Sequence, residues 1–210
     1  MLIVVNFKNY KQGKDVLDLA KKIEKATKGK DVVVCVPATD IHVVYSQTKL
    51  KVFSQHINDK DIGSTTGFVT AESVKAVGAS GTLLNHSEHR IHFEVIHRIM
   101  KRCERARLKV IFCVESISEV KKIKRWQLKP YAIAYEDRKL IGSGKSITEY
   151  KPKKILKFSK LLEGTGIIPL CGAGINSWKD VEMAKELGCK GVLVASAITK
   201  SKNVEKFFDD

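Results

Sequence analysis

The sequence predicts an α/β fold: a closed, eight-stranded parallel (β/α)8 barrel, in a single domain over residues 1–210. Three observations lead there. Eight short apolar runs rich in Val and Ile recur along the whole chain, and amphipathic stretches of helical period separate them. The runs are nearly continuous in apolar residues rather than alternating, as parallel strands covered on both faces are. No long Gly-rich turn follows the first run, which favours a closed barrel over an open doubly wound sheet.

In chain order the runs are residues 2–7, 32–36, 51–55, 82–85, 109–113, 131–135, 167–171 and 191–194. Eight units in 210 residues leave about 26 residues for each strand, helix and pair of connections. The first helix shows as a stripe of Val16, Leu19, Ala20, Ile23 and Ala26, and a longer one as Ile91, Val95, Ile96, Ile99, Cys103 and Ala106. Ser116 with Glu119, and Ser177 with Asp180, each place a hydroxyl at an N-cap and a carboxylate near the third helical residue, just after a strand ends.

Composition removes several classes. Hydrophobic residues at 43% and charged residues at 29% are globular proportions, which excludes disordered and fibrous chains. The apolar runs fall far short of the ~20 residues of a bilayer span, and Asn6 and Lys8 arrive too early for a secretory signal. A cytoplasmic protein without membrane contact is expected. Cys35, Cys103, Cys113, Cys171 and Cys189 are odd in number and never in CxxC spacing, so they read as buried free thiols rather than zinc ligands or a disulfide framework. Of the 38 basic residues behind the net charge of +15, 31 are Lys and only seven Arg, spread over every segment. Nucleic-acid readout favours concentrated Arg, so a solvated lysine-rich surface is the expectation and a basic nucleic-acid-binding module the weaker alternative.

In a barrel of this kind the chemistry lies at the C-terminal ends of the strands. Those ends carry Asn6 and Lys8 after the first, His86 after the fourth and Glu136 after the sixth. Small residues cluster at the later ends: Gly142, Ser143 and Gly144; Gly172, Ala173 and Gly174; Ala195, Ser196 and Ala197. Such residues let backbone N–H groups approach an anion, and a phosphate site after strands seven and eight recurs in these barrels.

The strings NFKNY from Asn6, NHSE from Asn85, AYE to Glu136, LIGSG from Leu140, CGAGI from Cys171 and LVAS from Leu193 stand in order along the chain. Together they resemble the triosephosphate isomerase family, and the short length with the CGAG and AS variants resembles its archaeal branch. The resemblance implies a TIM barrel that interconverts dihydroxyacetone phosphate and D-glyceraldehyde 3-phosphate, a step of glycolysis and gluconeogenesis, without cofactor or metal. It makes Glu136 the base, His86 the electrophile and proton relay, Lys8 a fixed positive charge and Asn6 an amide donor. It assigns phosphate binding to Ile141, Gly142, Gly174, Ala195 and Ser196, and reads Glu88 mainly as an ion-pair partner of Lys8. His42, His56, His89, His92 and His97 are read as surface or packing residues. His86 is expected to stand directly before the long helix.

Residues 56–70 resemble the loop by which members of the family dock into a neighbouring subunit, so a homodimer or homotetramer is expected. Where the family has Pro directly after the base, this chain has Asp137. That substitution is expected to loosen the lid and, if the two side chains approach, to raise the proton affinity of Glu136. Another phosphate-binding barrel enzyme, as in tryptophan or histidine biosynthesis, is the nearest alternative. It explains the Gly-rich strand ends but not Asn6, Lys8, His86 and Glu136 together.

Overall fold

The first strand, β1 (Leu2–Asn6), sets the pattern for the barrel. Its successive side chains point to opposite faces. Leu2 and Val4 join Val33, Cys35, Phe53, Leu83, Ile111, Cys113, Ala132, Ala134, Leu170 and Leu193 in one buried cluster, which fills the barrel. Ile3 and Val5 join a second cluster that includes Val16, Ile23, Ile96, Ile99, Val120 and Phe158 from the helices, and this cluster lies between barrel and helices. Each Val or Ile fully buried there contributes roughly 1.5–3 kcal/mol of transfer free energy.

The computed structural model describes residues 1–208. After β1 come α1 (Lys14–Ala26), β2 (Asp31–Val36), a 3-10 turn, α2 (Ile41–Gln47), β3 (Lys51–Ser54), α3 (Ala71–Ala76) and β4 (Gly81–Leu84). The second half runs α4 (Phe93–Arg105), β5 (Lys109–Val114), α5 (Ile117–Ile123), β6 (Ala132–Tyr135), α6 (Ile147–Tyr150) and α7 (Pro152–Leu162). It closes with β7 (Ile168–Cys171), α8 (Trp178–Glu186), β8 (Gly191–Val194), α9 (Ser196–Thr199) and α10 (Glu205–Phe208). Every strand pairs in parallel with the next, and β8 returns to β1 through Leu2 with Gly191 and Val5 with Val194, so no edge is left open. The eight apolar runs of the sequence are these eight strands, each within a residue of its expected ends.

The helix caps form as their spacing predicts. Ser116 Oγ accepts the Glu119 N–H at 3.2 Å, and the Asp180 carboxylate accepts the Ser177 N–H at 3.1 Å. One boundary differs. The long helix α4 does not start directly after His86 but at Phe93, because residues after His86 first turn back, with the His89 N–H bonded to the His86 carbonyl at 2.8 Å. All five cysteines are free and buried. No helix among the described residues is long and apolar enough to cross a membrane.

Candidate active site

The inward-facing row of β6 runs Ala132, Ala134, and its next member is Glu136, one residue past the strand. Period-two alternation therefore aims Glu136 into the barrel mouth, while Leu2, Val4 and Asn6 do the same from β1. The Glu136 N–H extends the ladder by donating to the Val114 carbonyl at 2.9 Å. Room for its side chain comes from Gly172: a Cβ there would stand 3.0 Å from Glu136 Cγ and 3.1 Å from Oε1.

Glu136 is 5% exposed, and its Oε2 has no hydrogen-bond partner among the described residues. Burial raises its pKa above the ordinary carboxylate value, opposed by His86, by Lys8 and by the Cys113 thiol beneath it. His86 Nε2 stands 3.4 Å from Glu136 Oε2. The other ring nitrogen, Nδ1, accepts the Glu88 N–H at 3.2 Å, which leaves the ring proton on Nε2, facing the carboxylate.

His86 is carried by a turn fixed from behind. Asn85 takes a left-handed backbone, φ 61°, donates to the Cys113 carbonyl at 3.0 Å and accepts the Ile91 N–H at 3.0 Å. Arg90 reaches the Asn85 carbonyl and pairs with Glu119, so the cap of α5 also braces this turn. Lys8 is likewise left-handed, φ 48°, its N–H donating to Asn6 Oδ1 at 3.0 Å. Its ammonium pairs with Glu88 at 2.6 Å, the pairing the sequence suggested. Gln55 holds this bend by donating to the Lys8 carbonyl at 2.9 Å.

A cavity of about 430 Å³ opens over these groups, and all nine sequence-predicted residues line it: Asn6, Lys8, His86, Glu136, Ile141, Gly142, Gly174, Ala195 and Ser196. Tyr10 and Asn176 also line it and were not singled out by sequence. Asn176 donates to the Gly174 carbonyl at 2.7 Å and to the Gly144 carbonyl at 3.0 Å, tying the segment after β6 to the turn after β7. Its only sequence signal is an Asn just after CGAGI. Gly174, φ 71°, passes so close to the Lys145 carbonyl that a Cβ would lie 1.9 Å from it.

One expectation changes. Asp137 does not approach Glu136: its carboxylate pairs with Lys151 and accepts the Lys139 N–H at 3.0 Å, and the carboxylate that raises the Glu136 pKa is Glu88. Among the histidines expected to be structural, His56 stacks on His89 with ring centroids 3.9 Å apart, and burial together with His89 lowers the His56 pKa to about 4.

The match to known proteins spans the chain. The triosephosphate isomerase family model covers residues 1–210. Triosephosphate isomerase of Saccharolobus solfataricus is 37% identical over 214 residues, covering 100% of this chain and 93% of the relative. That of Methanocaldococcus jannaschii is 34% identical over 212 residues, covering 98% and 96%. A crystal structure of triosephosphate isomerase from Bartonella henselae superposes with a TM-score of 0.75 at 20% identity, covering 99% of this chain and 95% of that one, which is agreement in fold. The archaeal relatives fit the short branch that the motifs suggested. By its family match and its archaeal relatives alike, the chain belongs to the triosephosphate isomerase family.

Proposed function

We propose that this chain interconverts dihydroxyacetone phosphate and D-glyceraldehyde 3-phosphate, with Glu136 moving the proton. The observation that carries this reading is a buried carboxylate with a free oxygen facing an imidazole N–H across 3.4 Å, at the mouth of a barrel of this family. Glu136 takes a proton from C1, the electron pair moves into an enediolate, and the proton returns at C2. Burial raises the basicity of Glu136 and so suits it to a weak carbon acid.

Negative charge grows on the carbonyl oxygen as the proton leaves. The Nε2–H of His86 is the donor for it and relays a proton between the two oxygens, Lys8 supplies positive charge, and Asn6 supplies an amide. Backbone groups of Ile141, Gly142, Gly174, Ala195 and Ser196 hold the phosphate, with Ser196 opening helix α9 on the cavity wall. The segment from Asp137 to Ser146 is the lid that excludes water from the enediolate. Each step uses protein groups alone.

The loop of residues 56–70 is read as the contact that makes a homodimer or homotetramer. It is braced on α4 by Asp59 with Arg102 at 2.9 Å, and presents Ile62 and Phe68 to solvent. A monomer in light scattering at working concentration overturns that part. Five free, buried cysteines support a reducing compartment such as the cytoplasm. The test of the main reading is a coupled isomerase assay on the wild type beside Glu136→Gln and His86→Gln. A wild type inert toward triose phosphate, or a Glu136→Gln variant with undiminished turnover, defeats it.

A further inference from the structure

The first hinge of the lid holds an ion pair to which the reading above gives no role. Strand β6 ends at Tyr135, Glu136 follows and Asp137 comes next. The backbone of Glu136 is held on its N-terminal side by the sheet, through its N–H to the Val114 carbonyl. On its C-terminal side the next fixed point is Asp137. One carboxylate oxygen of Asp137 accepts the Lys139 N–H at 3.0 Å and the other pairs with the Lys151 ammonium, while the Asp137 carbonyl accepts the Leu140 N–H at 2.9 Å.

Lys151 is outside the lid. It is the N-cap residue of α7, its N–H bonded to the Ile147 carbonyl at 2.9 Å and its carbonyl accepting from Lys154 and Ile155. The pair thus joins the hinge to the rigid outer layer. With side-chain exposures of 12% for Asp137 and 28% for Lys151, it is screened less than an open surface pair. Burial alone would raise the Asp137 pKa, but Lys151, the Lys139 N–H and the nearby Lys154 outweigh it and hold the group below its usual value, so the carboxylate stays ionised at neutral pH. Between this hinge and the Asn176 tie to Gly144 at the other end, Arg138, Lys139, Gly142 and Ser143 are exposed.

We propose that Asp137 and Lys151 form a clasp that fixes the first lid hinge to α7 and so positions Glu136 for proton transfer. Neither residue lines the cavity; both act through the backbone that carries the base. The proposal rests on the reading of Glu136 as that base. It replaces the stiffness a proline would give by dihedral restriction with an electrostatic anchor.

Asp137→Asn keeps an oxygen for the Lys139 N–H and removes only the charge, Lys151→Gln removes the other partner, and Lys151→Arg keeps the pair. Turnover and limited trypsin cleavage after Arg138 and Lys139 are measured on each, with thermal melts showing that all remain folded. The expected result is a fall in kcat of about tenfold in Asp137→Asn and in Lys151→Gln, with KM moving less. Lid cleavage rises about tenfold in the same two variants. The double variant is no worse than either single one, because both remove a single interaction. Lys151→Arg behaves as the wild type. Wild-type kcat in Asp137→Asn and Lys151→Gln overturns the proposal whether or not cleavage changes, and so does an additive double variant. A wild type that does not isomerise triose phosphate defeats the reading of the base instead, and lid cleavage then decides the clasp alone.

Discussion

Nε2 of His86 and Oε2 of Glu136 face each other at 3.4 Å, although the residues lie 50 positions apart and follow strands β4 and β6 that are not neighbours in the sheet. An N–H donor and an unsatisfied carboxylate oxygen are thereby aimed at one small volume, where a planar substrate carbon and its carbonyl oxygen would sit. In the proposed reaction neither group alone suffices: Glu136, acting as base, needs somewhere for the displaced charge to go.

Glu136→Gln is expected to lower kcat by about 10²–10⁴-fold, the range for loss of a positioned base. Because burial raises the Glu136 pKa and the proposed base acts ionised, kcat/KM falls on acidification at a pH above the ordinary carboxylate range. The stability effect has the opposite direction. The folded state holds this proton more tightly than the unfolded chain, so stability declines as pH rises through the interval between the two pKa values. Glu136→Gln therefore melts at a higher temperature than the wild type at neutral pH, with the gap narrowing toward acid. Melting curves across pH check this, and a lower melting temperature at pH 7 contradicts it.

The His86 ring is expected to be the Nε2–H tautomer, because Nδ1 accepts the Glu88 N–H. Nitrogen chemical shifts of a labelled sample read this directly: Nδ1 resonates as unprotonated and Nε2 as protonated. His86→Gln keeps a donor but loses the relay and costs roughly 100-fold in kcat.

Lys8 and Glu88 form an unequal pair. The Lys8 side chain is 12% exposed and that of Glu88 is 55% exposed. Removing the exposed partner leaves the cation hydrated from one side, whereas removing the cation takes charge from the cavity. Lys8→Met is therefore expected to cost about 100-fold or more in kcat/KM, and Glu88→Gln less than about tenfold. Equal losses in steady-state kinetics would show that the pair acts as a unit.

Gly172 tests how closely the base is fitted. An Ala there meets Glu136 Cγ at 3.0 Å and the Leu193 carbonyl at 3.2 Å, and the easier group to move is the carboxylate side chain. Gly172→Ala is expected to fold, by circular dichroism, yet lose about tenfold in kcat.

The strand ends were legible because each apolar run stops at polar or small residues. Which alternate residues of β6 point inward, Ala132 and Ala134 and so Glu136, is instead set by the closed barrel, since a run apolar at every position carries no parity. The turn after His86 was less legible. Ile91 continues the stripe of α4 by period, but Asn85 draws the Ile91 N–H into a bond with its own side chain, and helix formation is postponed to Phe93. Asp137 shows the same limit: sequence places it beside the base, and only the arrival of Lys151 from α7 turns its carboxylate away.

By itself the sequence determined the eight strands and the helix caps, because period and capping chemistry are local properties, and its motifs, through their resemblance to the family, supplied the set of residues expected at the barrel mouth. Tertiary structure alone decided that Nδ1 of His86 accepts the Glu88 N–H, that Gly172 makes space for Glu136, that Asn176 ties Gly144 to the turn after β7, and that Asp137 pairs with Lys151. Those relations depend on distances between side chains far apart along the chain, which become fixed only when the barrel closes and the helices pack around it.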